Sequence, residues 1–283
     1  MAIRIITDTS SDFAPSALRG RSVGLVPMTI NVGAASYADG IDLTHADFYE
    51  MLLSDGEAPK TSQPVPQDFL DHFERAKAAG DDVIAILISG ELSGTVQSAQ
   101  AAKDMCGYDR IHIVDSRCAS AGIQMMVDET ERMANAGESV EAILDRLESM
   151  IRRMRIYLGL DTLKYLYRGG RLTRLEAGVG MLANIHPLLA LKDGTLEVCA
   201  KCMGTKKTMR RLVEIIESVP ADPAFQKRFI YSYDDSHCRE LMRAFPNAAG
   251  ADVVELGPTL AAHAGPGVYG AVFIEAEKNP AQI

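Results

Sequence analysis

The first 150 residues alternate short apolar runs with longer amphipathic ones. IRIIT (3–7), VIAILI (83–88) and RIHIV (110–114) read as strands, as does VGLVPMTINV (23–32), where Pro27 predicts an edge position or a bulge. Between them lie helical patterns. Thr44 with Asp47 opens one around DFYEMLL, which Gly56 closes. Pro66 begins a second, QDFLDHFERAKAA, with Phe69, Leu70 and Phe73 on one face and Gly80 at its end. TVQSAQAAKDM and GIQMMVDETERMANA follow in the same alternation. Strands separated by helices cannot close as tight hairpins, so the pattern dictates a mostly parallel sheet with helices on both faces.

Past residue 138 the texture changes. Ser139 caps VEAILDRLESMIRRM, a strand RIYLGL follows, and LKYLYRGGRL and EAGVGMLANI read as short helices. PLLALKDGTLEVCAK is a hairpin turning at Asp193-Gly194. Two further strand–helix units lead to the closing run GPGVYGAVFIEA. The expected organisation is a first α/β domain over residues 1–155 and a second, smaller α/β domain over 156–283.

The 283 residues carry a net charge of −9 and are 47% apolar. That balance argues against nucleic acid as the main partner, since phosphate recognition wants a basic surface. The local basic runs RRMR (152–155) and KKTMRR (206–211) read as solvated helix faces. No apolar stretch has transmembrane length, and MAIRIITD runs straight into a strand, so a cytoplasmic protein without membrane insertion is expected. Five cysteines suit reduced thiols. The single CxxC, Cys199 and Cys202, lies in a strand that sends side chains three apart to opposite faces, which disfavours a metal or redox site.

No phosphate-binding P-loop and no dinucleotide fingerprint is present. Ligands of open α/β sheets sit beyond the carboxyl ends of the strands, and three polar loops are candidates there. SGELSGT (89–95) ends a strand and opens a helix on hydroxyls. Glycine lets backbone approach closely and a helix start offers free N–H donors, so the loop suits a small anion; equally, Ser93 or Thr95 is an ordinary N-cap. KTSQPVP (60–66) is held extended by two prolines and presents Thr61 and Ser62. HAGPG (263–267) sets a histidine against glycines. Asp8 and Asp12 in DTSSD admit a metal reading, but capping or turn formation explains them without a third carboxylate. GELSG misses the nucleophile-elbow spacing by one place, which leaves a Ser93–His263–Asp triad to geometry alone.

Taken in order, ITDTSSDF, KTSQPVP, SGELSGTVQSA, IVDSRCASAG, LKYLYRGGRL and HAGPGVYG resemble the DegV family of bacterial fatty-acid-binding proteins, from about Ile3 to Phe273. The resemblance implies two α/β domains with a ligand tunnel between them, enclosing one long-chain fatty acid. It implies that Thr61, Ser93 with Gly94 beside it, and His263 hold the carboxylate, and that the protein catalyses nothing and needs no cofactor or metal. It further implies presentation of the carboxylate to a separate ATP-dependent fatty acid kinase subunit, with Arg171 in GGR as a partner contact. The chain departs from that pattern where a basic RxRKK stretch is expected: here the run is MGTKK, with Met203 and Thr205 in place of arginines, and His186 stands where a lysine is usual. Met125, Met126, Met181, Leu182, Ile185, Leu188 and Leu189 are candidate tunnel walls. Two rivals remain open: a hydrolase or acyltransferase with Ser93 as nucleophile and His263 as base, and a phosphate-binding module built on the same Ser-Gly loop.

Overall fold

The structure, a computed structural model, describes residues 2–172, 185–248 and 250–277. Contacts divide the chain into two units, Met1–Glu148 with Gly257–Ala262, and Ser149–Leu256 with His263–Ile283. The position near residue 155 falls just inside the second unit, and a short distal segment joins the first.

The first unit is built on a parallel sheet of β1 (Ile3–Asp8), β2 (Val23–Val26), β6 (Asp82–Leu87) and β7 (Ile111–Asp115), in the order β2-β1-β6-β7. β1 and β6 occupy its centre, and from Ile5 and Val83 onward their residues are buried on both faces. Such strands read as mainly apolar runs; β6 does so from Val83 to Leu87, whereas β1 ends in the buried polar pair Thr7 and Asp8. Phe69, Phe73 and Ala76 of α2 (Pro66–Ala79) and Ala99 and Ala102 of α3 (Thr95–Cys106) pack with Val83, Ala85 and Leu87 of β6. α4 (Ala121–Asn135) also contacts β1 and β6. Two expected helix ends hold: Thr44 accepts from the Asp47 N–H at the start of α1 (His45–Leu53), and Gly80 closes α2 in the left-handed region. The expected stop at Gly56 does not: α1 ends at Leu53 with Ser54 as its C-cap, whose extended backbone leaves the helix before the glycine is reached.

The run 23–32 is not one strand. β2 stops at Val26, and β3 (Thr29–Val32) begins a separate antiparallel sheet with β4 (Ala35–Ala38) and β5 (Lys60–Ser62), in the order β4-β3-β5. Pro27 lies between the two strands and has no N–H to continue a ladder. Its apolar neighbours therefore serve two sheets.

A buried polar cluster joins the distal segment Gly257–Ala262 to the rest of this unit. The Gly257 N–H donates to Asp12 Oδ1 at 2.9 Å, and the Thr259 N–H to Asp39 Oδ2 at 3.2 Å. The Thr259 hydroxyl also donates to Asp39, and the Met28 N–H donates to Thr9 Oγ1 at 3.0 Å. Asp8, Asp12 and Asp39 are all buried, and burial pushes each carboxyl above its ordinary range.

In the second unit six strands run β10-β9-β8-β13-β11-β12. They are β8 (Met154–Gly159), β9 (Ile185–Lys192), β10 (Thr195–Met203), β11 (Arg228–Tyr231), β12 (Val253–Glu255) and β13 (Tyr269–Ile274). All neighbours are antiparallel except β11 with β12. The β9–β10 hairpin turns at Asp193 (φ 49°) and Gly194 (φ 88°), as the Asp-Gly pair demands. Cys199 is exposed at a register shift in β10, and Cys202 is half-buried. Met209, Leu212 and Ile216 of the helix Thr205–Glu217 pack with Phe229, Tyr269, Ala271 and Phe273. Both basic runs contribute ion pairs within the unit, Arg153 with Asp222 at 2.7 Å and Arg211 with Glu214 at 3.0 Å.

Asp12 yields a prediction. Its carboxyl is raised from 3.8 to about 8 by burial. The folded chain keeps a proton that the unfolded chain releases, so this group's contribution is greatest below pH 4 and is lost as pH climbs towards 8. The loss is roughly 1.4 kcal/mol per pH unit across that window. Asp12→Asn keeps an acceptor for Gly257 and tolerates the φ of 54° at this position. Its melting temperature is expected to exceed the parent's by a margin that widens from pH 5 to pH 8; an equal margin at both would refute the assignment.

Candidate functional site

The polar loop after β6 is shaped by backbone bonds from three directions. The Ile88 N–H donates to Asp8 Oδ2 at 2.9 Å, the Ser89 N–H to the Cys118 carbonyl at 2.9 Å, and the Gly90 N–H to Asp115 Oδ1 at 3.2 Å. Within the loop, the Leu92 and Ser93 N–H groups both turn back to the Ser89 carbonyl, at 3.0 and 3.1 Å. The chain then enters α3 with Gly94 as the N-cap, without a side-chain cap bond. The expectation that Ser93 or Thr95 caps the helix is not met. Ser93 precedes the cap position and Thr95 is already helical, so their hydroxyls bond each other at 2.8 Å. Ser93 is half-buried, and the cap residue has no side chain to cover the first-turn amides.

Thr61 lies on β5, paired across the small sheet with Ile30, and is half-buried. Two residues on, Gln63 reaches the start of α3, where its Nε2 donates to Ser98 Oγ at 2.9 Å. A Cβ on Gly94 would stand 2.0 Å from Gln63 Oε1. This close approach, and not the backbone, favours glycine at 94: the φ of −75° is open to any residue, and a side chain there would push the Gln63 amide aside. Gln63 thus links the strand bearing Thr61 to the turn bearing Ser93 and Gly94, all within the first unit.

His263 and Arg171 belong to the second unit and meet around Gly169. A Cβ on Gly169 would lie 2.2 Å from His263 Nδ1, and Arg171 Nη1 donates to the Gly169 carbonyl at 2.6 Å. Burial lowers the His263 imidazole to about 4, assisted by the charges of Arg171 and Arg168. The ring is therefore neutral at physiological pH and keeps one N–H donor and one acceptor nitrogen. Arg171, expected as a partner contact, is half-buried, and burial lowers its guanidinium as well.

Asp8 caps the short 3₁₀ turn Thr9–Ser11, accepting from the Ser10 N–H at 2.9 Å, and so takes the capping role weighed for it above. Among the described residues no group of three His, Cys, Asp or Glu side chains could hold a metal ion, and no helix is long and apolar enough to cross a membrane. Of the candidate tunnel residues, Met125, Met126, Leu188 and Leu189 are buried and Ile185 is half-buried; Met181 and Leu182 lie outside the described residues. Leu188 packs in the core with Leu212 and Phe229, a structural role. Sequence reasoning did not single out Gln63, although it stands in the quoted segment, and it did not connect Asp8 to the Ser93 loop. Neither link has a local signal, because the partners are 35 and 80 positions away.

Comparison with known proteins places this geometry in context. The model of the DegV family, described as an uncharacterised protein family, matches residues 2–276. A DegV domain-containing protein of Caldanaerobacter subterraneus is 35% identical over 277 residues, covering 96% of this chain and 99% of the relative. Another from Deinococcus radiodurans is 31% identical, covering 95% of this chain and 97% of the relative. Among solved structures, a Thermus thermophilus DegV family protein described by its fatty acid binding superposes with a TM-score of 0.87 at 34% identity, covering 98% of this chain and all of that one. The fatty acid kinase B3 protein of Streptococcus pneumoniae, loaded with linoleic acid, has a TM-score of 0.85 at 24% identity, covering 98% of this chain and all of that one; it shares the fold.

The contact at Gly94 is testable by a double-mutant cycle. Gly94→Ala should displace the Gln63 amide, break its bond to Ser98 and cost about 1 kcal/mol in urea unfolding. In a Gln63→Ala background the same substitution should cost little. An undiminished cost there would mean that the strain lies elsewhere.

Proposed function

The chain belongs to the DegV family, and from that premise we propose that it binds one long-chain fatty acid in an apolar tunnel and holds the carboxylate with uncharged donors. The observation that carries the reading is the Ser93 turn. A serine hydroxyl, a glycine cap without side chain and the start of a 12-residue helix stand together, beside the strand that bears Thr61. Thr61 Oγ1, Ser93 Oγ and the Gly94 N–H are the proposed donors, with the neutral His263 imidazole as a further one. The Thermus relative described as fatty acid binding supports this ligand class.

The physical argument concerns what such a site must offset. A carboxylate removed from water is costly unless hydrogen bonds replace its hydration. Hydroxyls, amides and a neutral imidazole supply those bonds without a tight cation, which leaves the carboxylate available for chemistry by another protein. The acyl chain then supplies most of the affinity, at about 0.8 kcal/mol per buried CH₂. We extend the reading to presentation of that carboxylate to a separate ATP-dependent kinase, modified by the exposed Met203 and by Thr205 where the family pattern has arginines.

The rival hydrolase reading needs His263 as a general base. An imidazole held near 4 is a weak base at neutral pH, which counts against it. Native followed by denaturing mass spectrometry of the purified protein separates the two. A carrier yields a long-chain fatty acid adduct that is lost on denaturation, whereas an acyl-enzyme retains it as an ester on Ser93.

Thr61→Ala combined with Ser93→Ala should lower fatty-acid retention at least tenfold while leaving the circular dichroism spectrum unchanged; full retention in the folded double variant would sink the proposed site. For the partner, Met203→Arg with Thr205→Arg should raise acyl phosphate formation when a fatty acid kinase subunit and ATP are supplied. No gain would remove those two positions from the docking surface.

A further inference from the structure

A cavity of about 450 Å³ lies within the second unit between the stretch leading into β11 and the stretch following the helix Ser236–Arg243. Its wall is mainly apolar, with Pro223, Phe225, Phe245, Pro246 and Ala251. Lys227 is the one amine among the lining residues. Its Nζ stands 5.9 Å from the centroid of the Phe245 ring and 5.2 Å from that of Phe273.

Lys227 is half-buried, and burial holds its ammonium below the usual lysine range. The carboxylate that shares the cavity wall is otherwise engaged. Asp222, which also lines the cavity, accepts from Arg153 Nη1 at 2.7 Å and from the Ala224 N–H at 2.9 Å. The neighbouring Arg228 pairs with Asp252 at 3.2 Å. Among the described residues no carboxylate lies within ion-pairing distance of Lys227. Two aromatic faces attract the ammonium through their quadrupoles, but they return only part of what a full counter-charge supplies.

A mainly apolar cavity of this size, whose one ammonium is not ion-paired while its carboxylate, Asp222, is held by Arg153, has the make-up of a small-molecule site. We propose that it binds a small monocarboxylate with a compact apolar body, its carboxylate paired with the Lys227 ammonium and its body against Phe225 and Phe245. The charge selects an anion, and the apolar wall selects against strongly hydrated ones such as inorganic phosphate. The proposal is independent of the fatty-acid reading, since its residues all lie on the second unit and include none assigned to the fatty-acid carboxylate.

Benzoate is the probe. Saturation-transfer NMR titrations are run on the full chain with saturating palmitate present, so that benzoate does not report on an apolar tunnel. Saturable benzoate binding is expected, weakened at least tenfold by Lys227→Met and by exchange of benzoate for benzyl alcohol. Ala251→Leu, which fills the cavity and keeps the lysine, should abolish it. If Lys227→Met fails to fold, Lys227→Gln carries the same expectation. An unchanged affinity in these variants, equal binding of benzyl alcohol, or no saturable binding at all would overturn the proposal. Failure of palmitate to bind would remove the fatty-acid reading and leave the benzoate result to decide this one.

Discussion

The first unit depends on carboxylates that have been taken out of water. Asp8, at the carboxyl end of β1, accepts from Ile88 at the end of β6 and from Ser10 in its own turn. Asp12 and Asp39 accept from Gly257 and Thr259, some 220 to 245 positions away. Burying such groups is unfavourable unless each finds donors with good geometry. Once those donors are backbone amides, the positions of three separate chain segments are tied to one another. The burial that raises these carboxyls and the bonds that hold the loops are two consequences of one arrangement.

The Ser93 turn inherits its shape from this framework. Asp8 and Asp115 anchor the loop where it leaves β6, and Gln63 presses against its glycine at the entry to α3. The turn is therefore held by groups from four strands and loops, while its own hydroxyls remain local, bonded to each other. The second unit shows the same device around His263. A glycine gives the ring room, an arginine fixes that glycine's carbonyl, and burial keeps the imidazole neutral. In both places glycine serves as space for a neighbour.

Much of the architecture was legible in advance. The alternation of apolar and amphipathic runs foretold the parallel sheet, because strands buried on both faces are mainly apolar. Thr44, Pro66, Gly80, Ser139 and Asp193-Gly194 marked element ends by local chemistry that acts over four residues or fewer. The reading of 23–32 as one strand failed because apolar character cannot say which sheet a residue faces, and Pro27 decided that. The capping expectation at Ser93 failed for a related reason. Propensity names the residue types that cap, but helix α3 begins where Gln63 and Gly94 meet, and that contact spans two segments.

The sequence by itself determined element types, turn chemistry and the order of the polar loops, which also carry the family resemblance. These are written in short-range periodicity and in side chains that bond their own neighbours. The tertiary structure alone decided that Gly257–Ala262 joins the first unit, that Gln63 reaches the Ser93 turn, and that His263 is half-buried and neutral. It also alone assembled the Lys227 cavity from stretches on either side of a helix. Each of those facts depends on desolvation and on bonds between residues far apart in the chain. Such energies exist only after the segments have met.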